Sequence, residues 1–334
     1  MDRAMNPEVA DPRRSTTQLR HEALLYSGVR ELVRTVARFA RRGLADGARV
    51  VVALPGHKFA PLRAELGADA ADVTLLDMHE VGQNPGRLTS IWHRQAREAN
   101  SAGVALWGVG EPVWAERSEA EVIEAQLHES LLNAALRDTS TWLLCPYDVG
   151  TLGGPIVAAA RHSHGAVQHA QIGLREGTAV DGTVGGAGVF DAPLAPADGD
   201  VGAASIEGPA LRPIRAIVDR EGRAAGLEES RLHDLVLAVS ELATNTLRHS
   251  GGPGLLRWWT KPSAPRAFVC EVVDRGRLRD PLVGRMHPAP SQTGGRGLWL
   301  VHHLCDLVQV RSSEVGTTVR VTMRLLDHPS SSDG

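Results

Sequence analysis

Between Gly182 and Asp200 glycine, alanine, proline and aspartate dominate the chain, and no hydrophobic period survives. Such a stretch supports neither an amphipathic helix nor a half-buried strand, so packed structure is expected on either side of it. For 334 residues that means about two domains, each long enough to bury a core. The expected layout is a polar tail over 1–19, a first domain over 20–172, a linker over 173–208, a second domain over 209–327 and a short tail over 328–334. Glycine makes the first part of the linker flexible and proline stiffens the second. Val189, Phe190 and Leu194 are its residues able to dock on a neighbour, and a signal crossing it requires an ordered contact between the domains.

Composition removes several classes. No apolar run reaches the roughly 18 residues of a membrane helix, and Met1 to Arg20 is polar with no apolar core of a secretory signal. A cytoplasmic protein is expected. Cys145, Cys270 and Cys305 are scattered without a CxxC pair, so they read as reduced core residues, with no structural metal. A formal charge of -3 and no basic block argue against nucleic acid as a direct partner.

In the first half, apolar runs alternate with helix-period segments, the pattern of a mainly parallel sheet covered by helices. Four strands are legible, at Arg49–Leu54, Asp72–Asp77, Gly103–Val109 and Thr141–Cys145. Helices are expected over Gly28 to Arg42 behind a Ser27 cap, Lys58 to Leu66, Arg87 to Ala102, and Ser118 to Leu136 behind a Ser118–Glu121 capping box. Leu54-Pro-Gly-His-Lys58 sits at a strand end, where such sheets bind ligands, but it lacks the spacing of a phosphate loop. His162, His164 and His169 show no familiar ligand spacing and read as surface residues.

The second half opens with two helices, Leu211 to Ala225 and Leu232 to His249, then two strands, Gly254–Thr260 and Arg266–Asp274. The glycine-rich Thr293–Gly297 precedes a helix over Leu298 to Cys305, and strands over Leu307 to Arg311 and Thr317 to Leu325 close the domain. On the Leu232–His249 helix, Leu232, Leu235, Val239, Leu242 and Thr246 share one side, while Asp234, Glu241 and Asn245 line the other. Glu241 and Asn245, one turn apart, suit a general base and a hard-cation ligand; taken alone, the helix equally fits a plain solvated face.

Two resemblances follow. His21-Glu-Ala-Leu-Leu-Tyr-Ser-Gly28, Pro55-Gly-His-Lys58 and Cys145-Pro-Tyr-Asp148 resemble the MEDS sensory domain. That implies a three-layer α/β/α RecA-like fold that senses a small molecule, with His21, Tyr26, His57, Tyr147 and Asp148 near the ligand. Glu241-x-x-x-Asn245, Asp274-x-Gly276, Gly294-Gly-Arg-Gly297 and Gly316-Thr317 resemble, in order, the N, G1, G2 and G3 boxes of the GHKL ATPases. That implies a two-layer α/β Bergerat sandwich binding ATP and Mg²⁺.

On that resemblance, Asp274 accepts the exocyclic amino proton of adenine, Gly276 lets the base lie close and Thr317 completes its pocket. Gly294, Gly295, Arg296, Gly297 and Leu298 form the phosphate-side lid and helix start. Asn245 holds the metal and Glu241 activates the attacking hydroxyl. Arg277 and Leu278 depart from the pattern, because a full G1 box carries a second glycine there.

The compact domain most resembles the anti-sigma factor serine/threonine kinases. The resemblance implies a sigma factor and a STAS-type antagonist as partners, phosphorylation of that antagonist, and a homodimer, although no dimer seam is legible. The alternatives are a non-catalytic ATP-gated binding module and a cytoplasmic sensor histidine kinase. For the latter, His21, His79 and His128 are the phosphoacceptor candidates, and none continues as H-E-x-R-T-P.

Overall fold

The structure, a computed structural model, describes residues 18–170, 173–176, 192–208, 211–262, 265–288 and 295–325. In the first half, β1 (Arg20–Tyr26), β2 (Arg49–Leu54), β3 (Val73–Asp77), β4 (Leu106–Gly110), β5 (Thr141–Asp148), β6 (Ala166–His169) and β7 (Gly173–Glu176) form one sheet in the order β3-β2-β4-β5-β1-β6-β7. All neighbours pair parallel except β6 with β7. The central strands are buried on both faces, which is why they read as unbroken apolar runs.

Helices α1 (Val29–Ala45) and α2 (Phe59–Leu66) pack on one face around Leu24, Val50, Val52 and Leu54. The short α3 (Met78–Val81), α4 (Leu88–Ser101), α5 (Glu119–Ala135) and α6 (Gly154–Ser163) pack on the other around Ala23, Leu25, Val51 and Cys145. The three-layer expectation holds, and the Ser118–Glu121 capping box forms as expected. Ser27 does not cap α1. The cap is Gly28 at φ 78°, and Glu31 reaches back to accept from the Ser27 amide at 2.6 Å.

In the second half, β8 (Gly202–Ile206), β9 (Gly254–Lys261), β10 (Ala267–Asp274), β11 (Leu307–Ser313) and β12 (Gly316–Arg324) form an antiparallel sheet in the order β11-β12-β10-β9-β8. Helices α7 (Arg212–Ala225), α8 (Glu229–His249) and α9 (Arg296–Leu304) cover one face. Leu232, Leu235, Val239 and Leu242 of α8 meet Phe268, Cys270, Val272, Val321 and Met323 there in a single core. Two strands fall within the expected linker. β7 extends the first sheet and β8 edges the second, so the second fold draws on residues ahead of 209. Val189 and Phe190 lie outside the described residues, whereas Leu194 is half-buried.

All three cysteines are buried and unbridged, as expected of core thiols. His164 departs from the surface reading, since it is wholly buried under the end of α6. Among the described residues no helix is long and apolar enough to cross a membrane.

The two halves also meet directly. Helix α5 lies against the outer face of β11 and β12, where the buried Glu124 pairs with Arg311 at 2.7 Å and Glu121 pairs with Arg324. Asn84 and Arg87, just ahead of α4, donate to the carbonyls that end α9: Asn84 Nδ2 to His302 at 2.8 Å and to Cys305 at 3.2 Å, Arg87 Nε to His302 at 3.1 Å, and Arg87 Nη2 to His303. Those carbonyls have no partner within their own helix, so one domain caps a helix of the other. Gly86 is required by the close approach, because a Cβ there would lie 2.0 Å from His302 Nδ1.

Candidate nucleotide site

A cavity of about 550 Å³ opens between α8, the sheet and the start of α9, lined by Asn245, Thr246, His249, Asp274, Gly276 and Thr317 among others. Its floor is held by hydrogen bonds. Asp274 ends β10 directly opposite Thr317 of β12. One carboxylate oxygen accepts from Thr246 Oγ1 at 2.7 Å and the other from the Gly276 amide at 2.7 Å. Thr317 Oγ1 donates to the Gly276 carbonyl at 2.7 Å and lies 2.8 Å from Ser312 Oγ, which in turn accepts from the Leu278 amide at 2.8 Å.

These bonds fix the Asp274 carboxylate in one orientation while leaving it lone pairs for a donor in the cavity. Gly316 sits opposite at φ 144°, with no room for a Cβ against the Asp274 carbonyl. Gly276 is as constrained, because a Cβ there would meet Asp274 Oδ1 at 2.9 Å and the backbone of Ser250 at 3.2 Å. Its glycine therefore first serves the approach of β10's end to the end of α8.

At the other end, Gly295 caps α9 at φ 85°, and Leu298 enters the core. A Cβ on Gly297 would lie 2.6 Å from Glu241 Oε2 and 3.6 Å from Asn245 Nδ2. The polar face of α8 therefore looks at the first turn of α9, whose free amides favour an anion. Asn245, Asp274, Gly276, Gly295, Gly297, Leu298 and Thr317 thus line one cavity, and Glu241 stands beside it against Gly297. Arg296 is exposed at its rim, and Gly294 lies outside the described residues. Leu278, standing where a G1 box has its second glycine, lines the cavity and gives its amide to Ser312.

Thr246 and Ser312 were not legible as site residues. Thr246 falls on the apolar stripe of α8, and its hydroxyl turns out to steady Asp274; no periodicity signals that.

The sensory-domain candidates separate into two places. Tyr26 donates to Glu111 at 2.6 Å, and Lys58 reaches both, at 2.9 Å to the Tyr26 oxygen and 2.7 Å to Glu111, in a buried polar cluster at the strand ends. Burial raises the Glu111 carboxyl above its usual range, although Lys58 and Tyr26 oppose the shift. Asp148 accepts from the Gly150 amide at 3.0 Å nearby, and His57 is exposed, stacked on His79. His21 and Tyr147 point instead under α5 and α6. Of the phosphoacceptor candidates, His128 is fully buried edge-on to His302, His21 is buried, and the exposed His79 rides on a four-residue helix.

A two-layer sandwich with a nucleotide-sized cavity between its helices and a carboxylate-ended strand is the fold of a histidine kinase-like ATPase. Residues 204–323 match the family model described as "Histidine kinase-like ATPase domain", and residues 20–165 match that of "MEDS: MEthanogen/methylotroph, DcmR Sensory domain". The chain therefore joins a MEDS domain to a histidine kinase-like ATPase domain. Among solved structures it is similar to the RsbU and RsbW domains of a Mycobacterium tuberculosis protein, at 21% identity over 39% of this chain with a TM-score of 0.29. It spans about a third, 33%, of that structure's chain. No curated protein matches.

Proposed function

We propose that the C-terminal domain binds Mg-ATP and acts as an anti-sigma factor kinase, phosphorylating a serine or threonine of a STAS-type antagonist under the control of the N-terminal domain. The cavity suits a purine nucleotide, since Asp274 is an oriented acceptor for an exocyclic amino group, a selection that a guanine carbonyl fails. Asn245 offers its amide oxygen to a magnesium ion, and Gly295 and Gly297 keep the phosphate side of the cavity open. Bound Mg-ATP supplies the phosphoryl group and the charge neutralisation that its transfer needs.

The observation that carries the kinase reading is Glu241. Its carboxylate lies against Gly297 at the start of α9, one turn from Asn245, where it can take the proton of a hydroxyl brought to the phosphate side. The sigma-factor and antagonist partners rest on the resemblance of the compact domain, with its Asp274-Arg-Gly276 to Gly294-Gly-Arg-Gly297 arrangement, to the anti-sigma kinases.

The test is incubation of the full chain with labelled ATP, with and without antagonist proteins of the same host. Acid-stable label on an antagonist serine or threonine supports the reading. Acid-labile label on the protein itself would point to a histidine kinase, and ATP binding without transfer to any antagonist would leave a binding module.

A further inference from the structure

The MEDS domain contains a second, buried constellation that ATP chemistry does not use. His21 on β1, Glu129 on α5, Cys145 on β5 and His164 after α6 are each at most 4% exposed. One nitrogen, oxygen or sulfur atom from each lies within 4.8 Å of all the others. The sheet register explains half of this. Ala23 pairs with Cys145 across the parallel strands, so His21, two residues before Ala23, projects from the same face as Cys145. His21 Nε2 lies 3.3 Å from Cys145 Sγ. Helix α5 and the end of α6 cover that face and bring Glu129 and His164.

The hydrogen bonds around the cluster fix both imidazole tautomers. Asn133 donates its amide to the Ser163 carbonyl at 3.0 Å, which leaves its oxygen to face His21 Nδ1 at 3.0 Å. His21 therefore carries its proton on Nδ1 and presents a bare Nε2. His164 Nδ1 is 2.7 Å from the Ala160 carbonyl, which can only accept, so the neutral ring presents a bare Nε2 as well. That nitrogen looks at Glu129 Oε1 from 3.7 Å. The Cys145 thiol is the one donor facing this group, shared between His21 Nε2 and the Glu129 carboxylate, and His164 Nε2 has no hydrogen-bond partner. Acceptors that outnumber donors in a buried cluster are costly unless a proton or a cation lies between them.

We propose that His21, Glu129, Cys145 and His164 are the four ligands of a divalent transition-metal ion, with zinc the best match to one thiolate, two imidazoles and one carboxylate. Zinc bonds of about 2.0–2.3 Å put tetrahedral ligand atoms about 3.3–3.8 Å apart. The His21–Cys145 and His164–Glu129 pairs already have that spacing, and the ion draws the two pairs together. Binding turns the Cys145 thiol into a metal thiolate and releases one proton. Thiolate and carboxylate then balance the charge of the ion. The back-bonds of His21 to Asn133 and of His164 to Ala160 are the outer contacts that metal-bound histidines ordinarily have. Four protein donors leave no open position, so the site holds or senses its ion and is not catalytic. Helix α5 carries Glu129 toward the ion and Glu121 and Glu124 toward the ATPase domain, so metal occupancy and the domain contact share one helix.

The test uses the full chain without nucleotide, stripped by chelator and titrated with Co²⁺. We expect one cobalt per chain, tetrahedral visible bands and a near-ultraviolet thiolate-to-cobalt charge-transfer band, all bleached by one equivalent of Zn²⁺. X-ray absorption at the zinc edge of the wild type should show one sulfur and three nitrogen or oxygen neighbours. Cys145→Ser should lose the charge-transfer band, while Cys270→Ser and Cys305→Ser keep it. Asn133→Ala, which retains all four donors, should weaken zinc binding by roughly 10–100-fold. Absence of stoichiometric metal, a sulfur-free zinc sphere in the wild type, or a charge-transfer band that survives in Cys145→Ser would overturn the proposal.

Discussion

Asn84 Nδ2 donates to the His302 carbonyl at 2.8 Å, so a side chain of the MEDS domain caps the C-terminus of the helix whose N-terminus faces the nucleotide cavity. The segment ahead of α4 thus touches α9 directly, by a route that does not pass through the linker. This cap and the α5 ion pairs form an ordered contact between the two domains.

Gly86→Ala should disrupt the contact, because the added Cβ would lie 2.0 Å from a ring nitrogen of a buried histidine. Asn84→Ala removes two hydrogen bonds to buried carbonyls and should cost about 1–3 kcal/mol. Faster hydrogen exchange of the amides of α9 in both variants, with those of β2 unchanged, is the expected readout.

Asp274→Asn should weaken ATP binding most, since an amide turned by Thr246 and Gly276 offers the base a mismatched edge. Thr246→Val keeps the shape and loses one hydrogen bond to a charged acceptor, worth about 1.5–3 kcal/mol. It should therefore weaken ATP by roughly tenfold or more, as measured by calorimetry.

Glu241→Gln should retain Mg-ATP binding and lose phosphoryl transfer, whereas Asn245→Ala should lose the magnesium-dependent part of binding. Equal loss of affinity in the two would contradict the division of roles. Titrating each variant with ATP, with and without Mg²⁺, separates them.

Stability should fall in mild acid. Burial, with Arg285, His303 and Arg87 nearby and His128 edge-on, holds His302 well below its ordinary 6.5. The unfolded chain therefore takes up this proton first. Its contribution is intact above about pH 6.5 and is lost below it at about 1.4 kcal/mol per pH unit until the folded histidine itself protonates. Urea midpoints at about pH 7.5 and about pH 5.5 measure this, and His302→Asn should remove its share of the difference, while the buried His128, held low in the same way, keeps its own.

Much of this was legible in the sequence where periodicity and side-chain chemistry agree. The apolar runs of β2 and β5 and the capping box of α5 declare themselves locally, and Asn245, Asp274, Gly276, Gly295, Gly297 and Thr317 from the four boxes line one cavity. The edge strand β8, Gly-Ala-Ala-Ser-Ile, was hidden because it is short, small-sided and held chiefly by pairing with β9. His164 was misjudged because its significance lies in His21, Glu129 and Cys145, each far from it in the chain. The capping of α9 by Asn84 was invisible for the same reason. It depends on two segments more than two hundred residues apart, 218 between Asn84 and His302.

The buried pair of Glu124 with Arg311 has a consequence for inheritance. A lone charge left in that seam is far more costly than the pair is beneficial. An ATPase domain transplanted behind a different sensor would carry Arg311 into a seam with no matching carboxylate. Exchange of sensors among such proteins must therefore move α5 and β11 as one unit, or replace both charges together.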